Sequence, residues 1–153
     1  MALEIRYHFS QRFAVSAQKA FDWCTDFDPK DHVLMGDENA ERQIIQITEG
    51  TLILKDTFHL SAETVEKQKL VKIYPEELSW ASTHLTGPNK YSQFLYKITP
   101  QGKDASALNF TAAHLEYDEK TGAKLLADRL CKADEFAWSL LAKAMAEELK
   151  KRD

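Results

Sequence analysis

The stretch FAVSAQKAFDWCTDFDP (residues 13–29) joins the end of a predicted strand to the start of a predicted helix. Up to this point apolar residues alternate with polar ones, at Ile5, Tyr7, Phe9, Phe13 and Val15. This alternation predicts a long, half-buried strand over residues 4–15. Ser16 follows the strand and can accept a hydrogen bond from the free backbone N–H groups of a helix start. We expect the helix to be short, because the aspartate-rich segment that ends at Pro29 interrupts its apolar pattern.

The middle of the chain is a series of strand-like runs separated by turn-forming residues. Two runs in the segment 42–60 meet at Glu49-Gly50, a dipeptide that suits a tight hairpin turn. Further runs follow at about residues 64–74, 77–86, 90–99 and 105–117. Short turns connect consecutive antiparallel neighbours, so the pattern predicts a meander of about six strands.

A long amphipathic helix is predicted from about Thr121 to Lys151. The segment contains no proline, and its apolar residues recur at helical spacing, at Leu126, Leu130, Ala133, Ala137, Leu140, Leu141 and Ala144. At a rise of about 1.5 Å per residue the helix would be roughly 45 Å long. It is the largest element available to cover the apolar face of the sheet. We expect the short helix after the first strand to seal one end of the groove between sheet and long helix.

Composition and charge are those of one globular domain spanning residues 1–153. Hydrophobic residues make up 44% of the chain and charged residues 29%, which leaves enough apolar material for a core. The net charge of −4 argues against nucleic acid as the main partner, because phosphate binding needs a basic surface. The N-terminus lacks the pattern of a signal peptide. No apolar run reaches the length of a membrane span, so we expect no stable membrane insertion.

The two cysteines, Cys24 and Cys131, lie far apart in the sequence and outside any metal-ligand spacing. Free thiols in a reducing cytoplasm are therefore expected. The chain also lacks a phosphate-binding glycine loop and the enzyme motifs GxSxG and HExxH. We expect a cytoplasmic protein without a metal or another cofactor, and the sequence does not indicate its oligomeric state.

The order of strand, short helices, meander and long helix resembles the helix-grip superfamily (SRPBCC), which contains the birch-pollen allergen, the START lipid-transfer domains and the polyketide cyclase-like proteins. The resemblance is carried by FAVSAQKAFDWCTDF (residues 13–27), ELSWASTHLTGP (residues 77–88) and the long closing helix. It implies an α+β fold in which a curved antiparallel sheet of about seven strands wraps around the C-terminal helix, with short helices after the first strand. It also implies a cavity that holds an apolar ligand, and in some members a reaction within that cavity.

Polar residues on an otherwise apolar face are the candidates for a binding site. In the run TLILKDTFHL, Asp56 shares its parity with Leu52, Leu54, Phe58 and Leu60. In LSWASTH, Trp80 shares its parity with Ser82 and His84, and His114 follows Leu108, Phe110 and Ala112 in the same way. On the long helix, Asp134 lies on a face with Ala127, Cys131, Trp138, Leu141 and Met145. The predicted ligand-binding residues are Asp56, Trp80, His84, His114, Asp134 and Trp138.

Three functions are open at this point. The first is binding of a small hydrophobic, amphipathic or lipid-like molecule, with the polar residues orienting it. The second is an enzyme of cyclase, dehydratase or hydrolase type that uses His84 or His114 with a carboxylate. The third is an interaction module related to chaperone-activating members, with a filled interior and a surface in use.

Some of the polar residues can be explained without a bound ligand. Bulges and strand ends place polar residues on an inward face without any binding role. Lys67, Lys69 and Lys72 are expected to solvate an edge strand.

His84 is expected near the cavity mouth, and burial should keep it neutral at pH 7.

Overall fold

The computed structural model describes residues 2–36, 39–118 and 122–152. Its elements are, in chain order, strand β1 (Leu3–Phe13), helices α1 (Ala17–Cys24) and α2 (Lys30–Leu34), strands β2 (Ala40–Thr48), β3 (Thr51–His59), β4 (Thr64–Tyr74), β5 (Ser79–His84), β6 (Gln93–Pro100) and β7 (Ser106–Glu116), and helix α3 (Ala123–Arg152). A short 3-10 turn, Pro75–Glu77, separates β4 from β5. The predicted start of the last helix at Thr121 lies outside the described residues.

The strands form one antiparallel sheet in the order β1-β7-β6-β5-β4-β3-β2. Strands β2 to β7 are a meander, and the dipeptide Glu49-Gly50 connects β2 to β3 as predicted. β1 pairs with β7 instead, from Leu3 opposite Glu116 to Phe13 opposite Ser106. β1 and β2 are therefore the two edges of the sheet. The predicted α+β fold, a curved antiparallel sheet with a long C-terminal helix, is confirmed.

The transition from β1 to α1 occurs at Ser16, as the sequence pattern predicts. The Ser16 side chain caps α1 by accepting a hydrogen bond from the Lys19 backbone N–H at 3.4 Å. The helix buries its apolar residues in the core, and these are Ala17, Ala20, Phe21, Trp23 and Cys24. Trp23 also donates from Nε1 to Glu148 Oε2 on α3 at 2.9 Å. α1 therefore connects the end of β1 to the C-terminal half of the long helix.

Helix α3 packs on β1 and contributes to the same core as the sheet. Leu141 and Met145 are its buried residues, and Trp138 packs partly buried against the core. Ala133, a member of the predicted apolar stripe, is exposed. Leu141, another member of that stripe, is buried together with Met145, because the face that also contains Trp138 meets the sheet.

One residue predicted to face inward, Leu60, does not do so. Leu52 and Leu54 are buried, and so is Asp56. Leu60 lies beyond the end of the strand at His59 and is 56% exposed. The parity prediction is wrong for Leu60, since alternation holds only while the backbone remains a paired strand.

Candidate functional site

A cavity of about 290 Å³ lies between the sheet and α3. Strands β3 to β7 supply apolar and aromatic wall residues, which are Leu54, Val71, Trp80, Phe94, Tyr96 and Phe110. Helix α3 supplies Asp134, Ala137, Trp138 and Leu141, and the segment that contains α1 and α2 supplies Cys24, Phe27, Asp31, His32 and Met35. The sheet, α3 and the segment that contains α1 and α2 therefore all contribute to the lining of the cavity.

The aromatic residues of the wall pack on one another. Trp80 and Tyr96 stack with ring centroids 4.9 Å apart and an interplanar angle of 4°. Tyr96 meets Phe110 edge to face at 5.1 Å, and Trp138 approaches Tyr96 at 5.9 Å. Such contacts fix the ring orientations, so the wall is a preformed apolar surface.

The six predicted site residues separate into two groups. Trp80, His84, Asp134 and Trp138 line the cavity. Asp56 and His114 are buried but are not among the lining residues. Each of these two is held by polar partners of its own.

Asp56 lies behind the wall, covered by basic residues that do line the cavity. Arg42 donates to its two carboxylate oxygens, from Nε to Oδ1 at 2.6 Å and from Nη2 to Oδ2 at 3.0 Å. Lys69 Nζ lies 3.4 Å from Oδ2. Burial favours the neutral acid, but the contacts with His32 and Arg42 and the charge of Lys69 outweigh it. They hold the pKa of Asp56 well below its usual range.

His32 completes the cluster around Asp56. Its Nε2 lies 3.3 Å from Asp56 Oδ1 without the alignment of a hydrogen bond. Within residues 2–36, 39–118 and 122–152, Nε2 of His32 is the buried side-chain polar atom that has no hydrogen-bond partner. The His32 ring packs edge to face on Phe58, with centroids 5.2 Å apart. We name the three residues Arg42, Lys69 and His32 the basic wall.

His84 ends β5 and is paired in register with Lys69 on β4. Its ring lies 4.9 Å from that of Phe94. Burial, followed by the charges of Lys69 and Lys67, lowers the pKa of His84 to about 3. The imidazole is therefore neutral at pH 7 and can exchange hydrogen bonds with a ligand without carrying a charge.

Asp134 faces the cavity from α3. Tyr7 on β1 donates from its hydroxyl to Asp134 Oδ2 at 2.6 Å. Burial raises the pKa of Asp134, and the hydrogen bond from Tyr7 opposes part of that shift. A carboxyl group held in this way can accept a hydrogen bond from a ligand or exchange a proton with it.

His114 belongs to a polar cluster near the turn between β5 and β6. Its Nε2 lies 3.1 Å from Asn89 Nδ2 and 3.2 Å from Glu116 Oε2. Asn89 also donates to the backbone carbonyl of Leu115 at 3.2 Å. These contacts fasten the turn to β7, which gives His114 a structural role outside the cavity lining.

Comparisons with known proteins identify the fold. No protein-family model and no curated protein matches the sequence. The Zhui aromatase/cyclase from Streptomyces sp. R1128 is 12% identical, with a TM-score of 0.72 over 98% of this chain and 96% of that chain. Norcoclaurine synthase from Thalictrum flavum, in complex with dopamine and hydroxybenzaldehyde, is 15% identical, with a TM-score of 0.71 over 99% and 90%. A START superfamily protein from Mycobacterium smegmatis is 15% identical, with a TM-score of 0.69 over 97% and 99%.

The chain has the helix-grip fold. The resemblance carried by residues 13–27, residues 77–88 and the closing helix is thus confirmed at the level of the fold. In the described part of this helix-grip fold, no helix is long and apolar enough to cross a membrane. The same residues contain no group of His, Cys, Asp or Glu side chains arranged to hold a metal ion.

The sequence patterns did not indicate four polar residues that line the cavity of this helix-grip fold. Arg42 stands directly opposite Asp56 in the β2–β3 register, and Lys69 lies diagonally across from Asp56 on β4. Lys69 was expected to solvate an edge strand, but β4 lies between β3 and β5 and the side chain points to the cavity. The aspartate predicted on the inward face of β3 could have indicated these two residues, because a buried carboxylate needs a cation nearby.

The other two missed residues, Asp31 and His32, lie on α2. Asp31 lines the main cavity and also a second cavity of about 260 Å³ between α2 and the C-terminal part of α3. Burial, with a further contribution from Asp26, raises the pKa of Asp31 to about 7, and Arg42 opposes the shift. A carboxyl group that changes charge near neutral pH therefore stands between the two cavities.

Proposed function

We propose that the protein binds a small hydrophobic or amphipathic molecule in the cavity between the sheet and α3. The observation that carries this proposal is the cavity of about 290 Å³ with its preformed aromatic wall. Ligand sites are typically about 300–1,000 Å³, mostly apolar, with a few placed polar groups. His84 and Asp134 are such polar groups here, and Trp80 and Trp138 supply apolar contact. A filled interior would instead favour an interaction module.

The similar structures support a ligand-binding use of the fold. One of them is a START superfamily protein, and another was solved with dopamine and hydroxybenzaldehyde bound. Both bound molecules are small and aromatic. The aromatic wall formed by Trp80, Tyr96 and Phe110 is suited to molecules of this kind.

The proposal is tested with an uncharged, environment-sensitive dye such as prodan. We expect it to bind with a micromolar Kd and to change the tryptophan emission. Ala137→Trp should abolish binding by filling the cavity, since Ala137 lines it. Ala133→Trp is the matched control, because Ala133 lies on the same helix, is exposed and is not among the residues that line the cavity. Equal dye binding by both variants would contradict the proposal, and native mass spectrometry can reveal a co-purified ligand.

A second candidate is an enzyme of cyclase or related type. The observation that favours it is Asp134, a cavity-facing carboxyl group with a raised pKa that Tyr7 holds in place. The pair of His84 or His114 with a carboxylate has less support. His84 makes no ion pair with any residue in the described ranges, and His114 pairs with Glu116 at 3.2 Å, but neither His114 nor Glu116 lines the cavity. Conversion of an identified ligand by the wild type but not by Asp134→Asn would favour the enzyme.

The remaining expectations are also proposals. The partner is a small hydrophobic or lipid-like molecule rather than nucleic acid, which the net charge of −4 supports. The cytoplasm is the proposed compartment, and the free thiols of Cys24 and Cys131 are consistent with its reducing conditions.

A further inference from the structure

The basic wall carries more positive charge than its own carboxylate can neutralise. Arg42 and Lys69 both pair with Asp56, and within residues 2–36, 39–118 and 122–152 neither has a second ion-pair partner. The Arg42 side chain is 8% exposed, that of Lys69 24%, and that of Asp56 is fully buried. Two basic groups therefore share one anion in a poorly solvated place, where burial lowers the pKa of Lys69 and the charge of Asp56 opposes that shift. Such an arrangement is costly unless another negative group approaches.

A second observation at the same place concerns His32. This residue is 5% exposed and lines the cavity, and its Nε2 has only the poorly aligned 3.3 Å contact with Asp56 Oδ1, without a hydrogen-bond partner among the described residues. Buried polar atoms are nearly always hydrogen-bonded, so an unpartnered one is a mark of a missing group. A ligand oxygen placed against the basic wall would supply the partner.

We propose that the ligand is an amphipathic monoanion whose carboxylate binds the basic wall of Arg42, Lys69 and His32 while its apolar part fills the cavity. This inference rests on the proposed ligand-binding function and adds the chemical class of the ligand. Lys69 and Arg42 supply charge-assisted hydrogen bonds, which are stronger than neutral ones. The aromatic wall supplies the apolar contact for the rest of the molecule.

The other ionisable groups of the cavity are compatible with a ligand carboxylate at the basic wall. Asp134 lies on α3 and accepts a hydrogen bond from Tyr7, and in the described residues it makes no ion pair with Arg42 or Lys69, although the charge of Lys69 acts on it. The charge of Arg42 acts on Asp31, but burial raises the pKa of Asp31 to about 7, so the group is partly protonated near pH 7 and repels an anion less. Burial and then the charge of Lys69 lower the pKa of His84, while the charge of Asp56 opposes them, so the positive charge of Lys69 reaches the cavity.

The test compares three probes that share one alkyl chain: octanoate, 1-octanol and octylammonium. Binding is followed through the emission of Trp80 and Trp138, which line the cavity. We expect the wild type to bind octanoate roughly tenfold more tightly than 1-octanol and to bind octylammonium most weakly. Equal affinities for octanoate and 1-octanol would overturn this inference and leave the proposed function standing. Binding of none of the probes would contradict both.

The variant Lys69→Met removes the uncompensated charge and keeps the Arg42–Asp56 pair. It should reduce the preference for octanoate over 1-octanol to less than about twofold while 1-octanol still binds. Lys72→Met is the matched control, because Lys72 lies on the same strand and is exposed. Lys69→Gln repeats the test with a polar side chain in case the methionine variant does not fold. A preference that persists in the folded Lys69 variant would overturn the inference.

Discussion

At the scale of single residues, the structure separates two kinds of buried histidine. His114 is held by Asn89 and Glu116 outside the cavity lining, whereas His84 faces the cavity. The two residues looked equivalent in the sequence, since each follows apolar residues on one parity near a strand end. The difference arises from the turn between β5 and β6, which places Asn89 beside His114.

His84 is the residue whose replacement tests the site most directly. We expect His84→Ala to weaken octanoate binding by about 1–2 kcal/mol, the usual contribution of one hydrogen bond in a shielded site. The melting temperature should change little, because the imidazole is neutral and makes no ion pair within the described ranges. His8→Ala, an exposed position on β1, is the control for both titration and melting. Unchanged affinity with a large fall in melting temperature would make His84 a structural residue.

Asp31 should make the stability of the fold depend on pH. Its pKa is about 7 in the folded chain against 3.8 for the ordinary group. The folded state therefore keeps a proton that the unfolded state has lost, and stability falls as the pH rises from about 4 to 7. The charged groups around it are Asp26, Asp28 and Glu148, which raise its pKa, and Arg42, which lowers it.

The corresponding variant is Asp31→Asn, measured by thermal unfolding between pH 4 and pH 8. Its melting temperature relative to the wild type should increase with pH and reach its largest gain above pH 7. Asp128→Asn, at an exposed position on α3, is the control and should show no such trend. A difference in melting temperature that is constant with pH would show that Asp31 does not titrate in this range.

The polar residues of the site were only partly predictable. Strand parity and helix spacing indicate which side chains face inward, and they place Trp80, His84, Asp134 and Trp138 on the faces that line the cavity. They do not indicate which side chains meet across strands. The cluster of Asp56, Arg42 and Lys69 depends on the register of three strands, and register is set by the assembled sheet.

At the scale of elements, the long helix and the meander were predictable because both carry strong periodic patterns. The number of short helices after β1 was not. Helix α2 has five residues, from Lys30 to Leu34, which is too short for an apolar period to appear. The residues that α2 brings to the cavity, Asp31 and His32, therefore had no place in the sequence-based prediction.

Helix α3 is expected to be essential for cooperative folding. Deleting the chain from Leu126 onward would remove Leu141 and Met145 from the core and expose the apolar face of the sheet. We expect the shortened chain to lose its sharp unfolding transition in circular dichroism, while removal of residues 151–153 alone should preserve it. A sharp transition in the shortened chain would show that the sheet folds without the helix.

At the scale of the whole molecule, protection against hydrogen exchange should follow the topology of the sheet. β7 has a hydrogen-bonded neighbour on each side, whereas β2 is an edge strand whose residues from Gln43 to Thr48 are all exposed. Backbone amides of β2 should exchange faster than those of β7, since local opening needs fewer broken contacts there. Mass spectrometry of peptides from the two strands measures this. Equal protection would indicate that β2 is covered in solution.

The pairing of β1 with β7 also has a consequence for the synthesis of the chain. The first strand leaves the ribosome before its partner, which begins at Ser106 and is made roughly a hundred residues later. At about 5–20 residues per second, the apolar side of β1 waits about 5–20 s for the strand that covers it. Phe9 and Phe13 are exposed to other nascent chains and to chaperones during that interval. The sheet can therefore be completed only after β7 has been made.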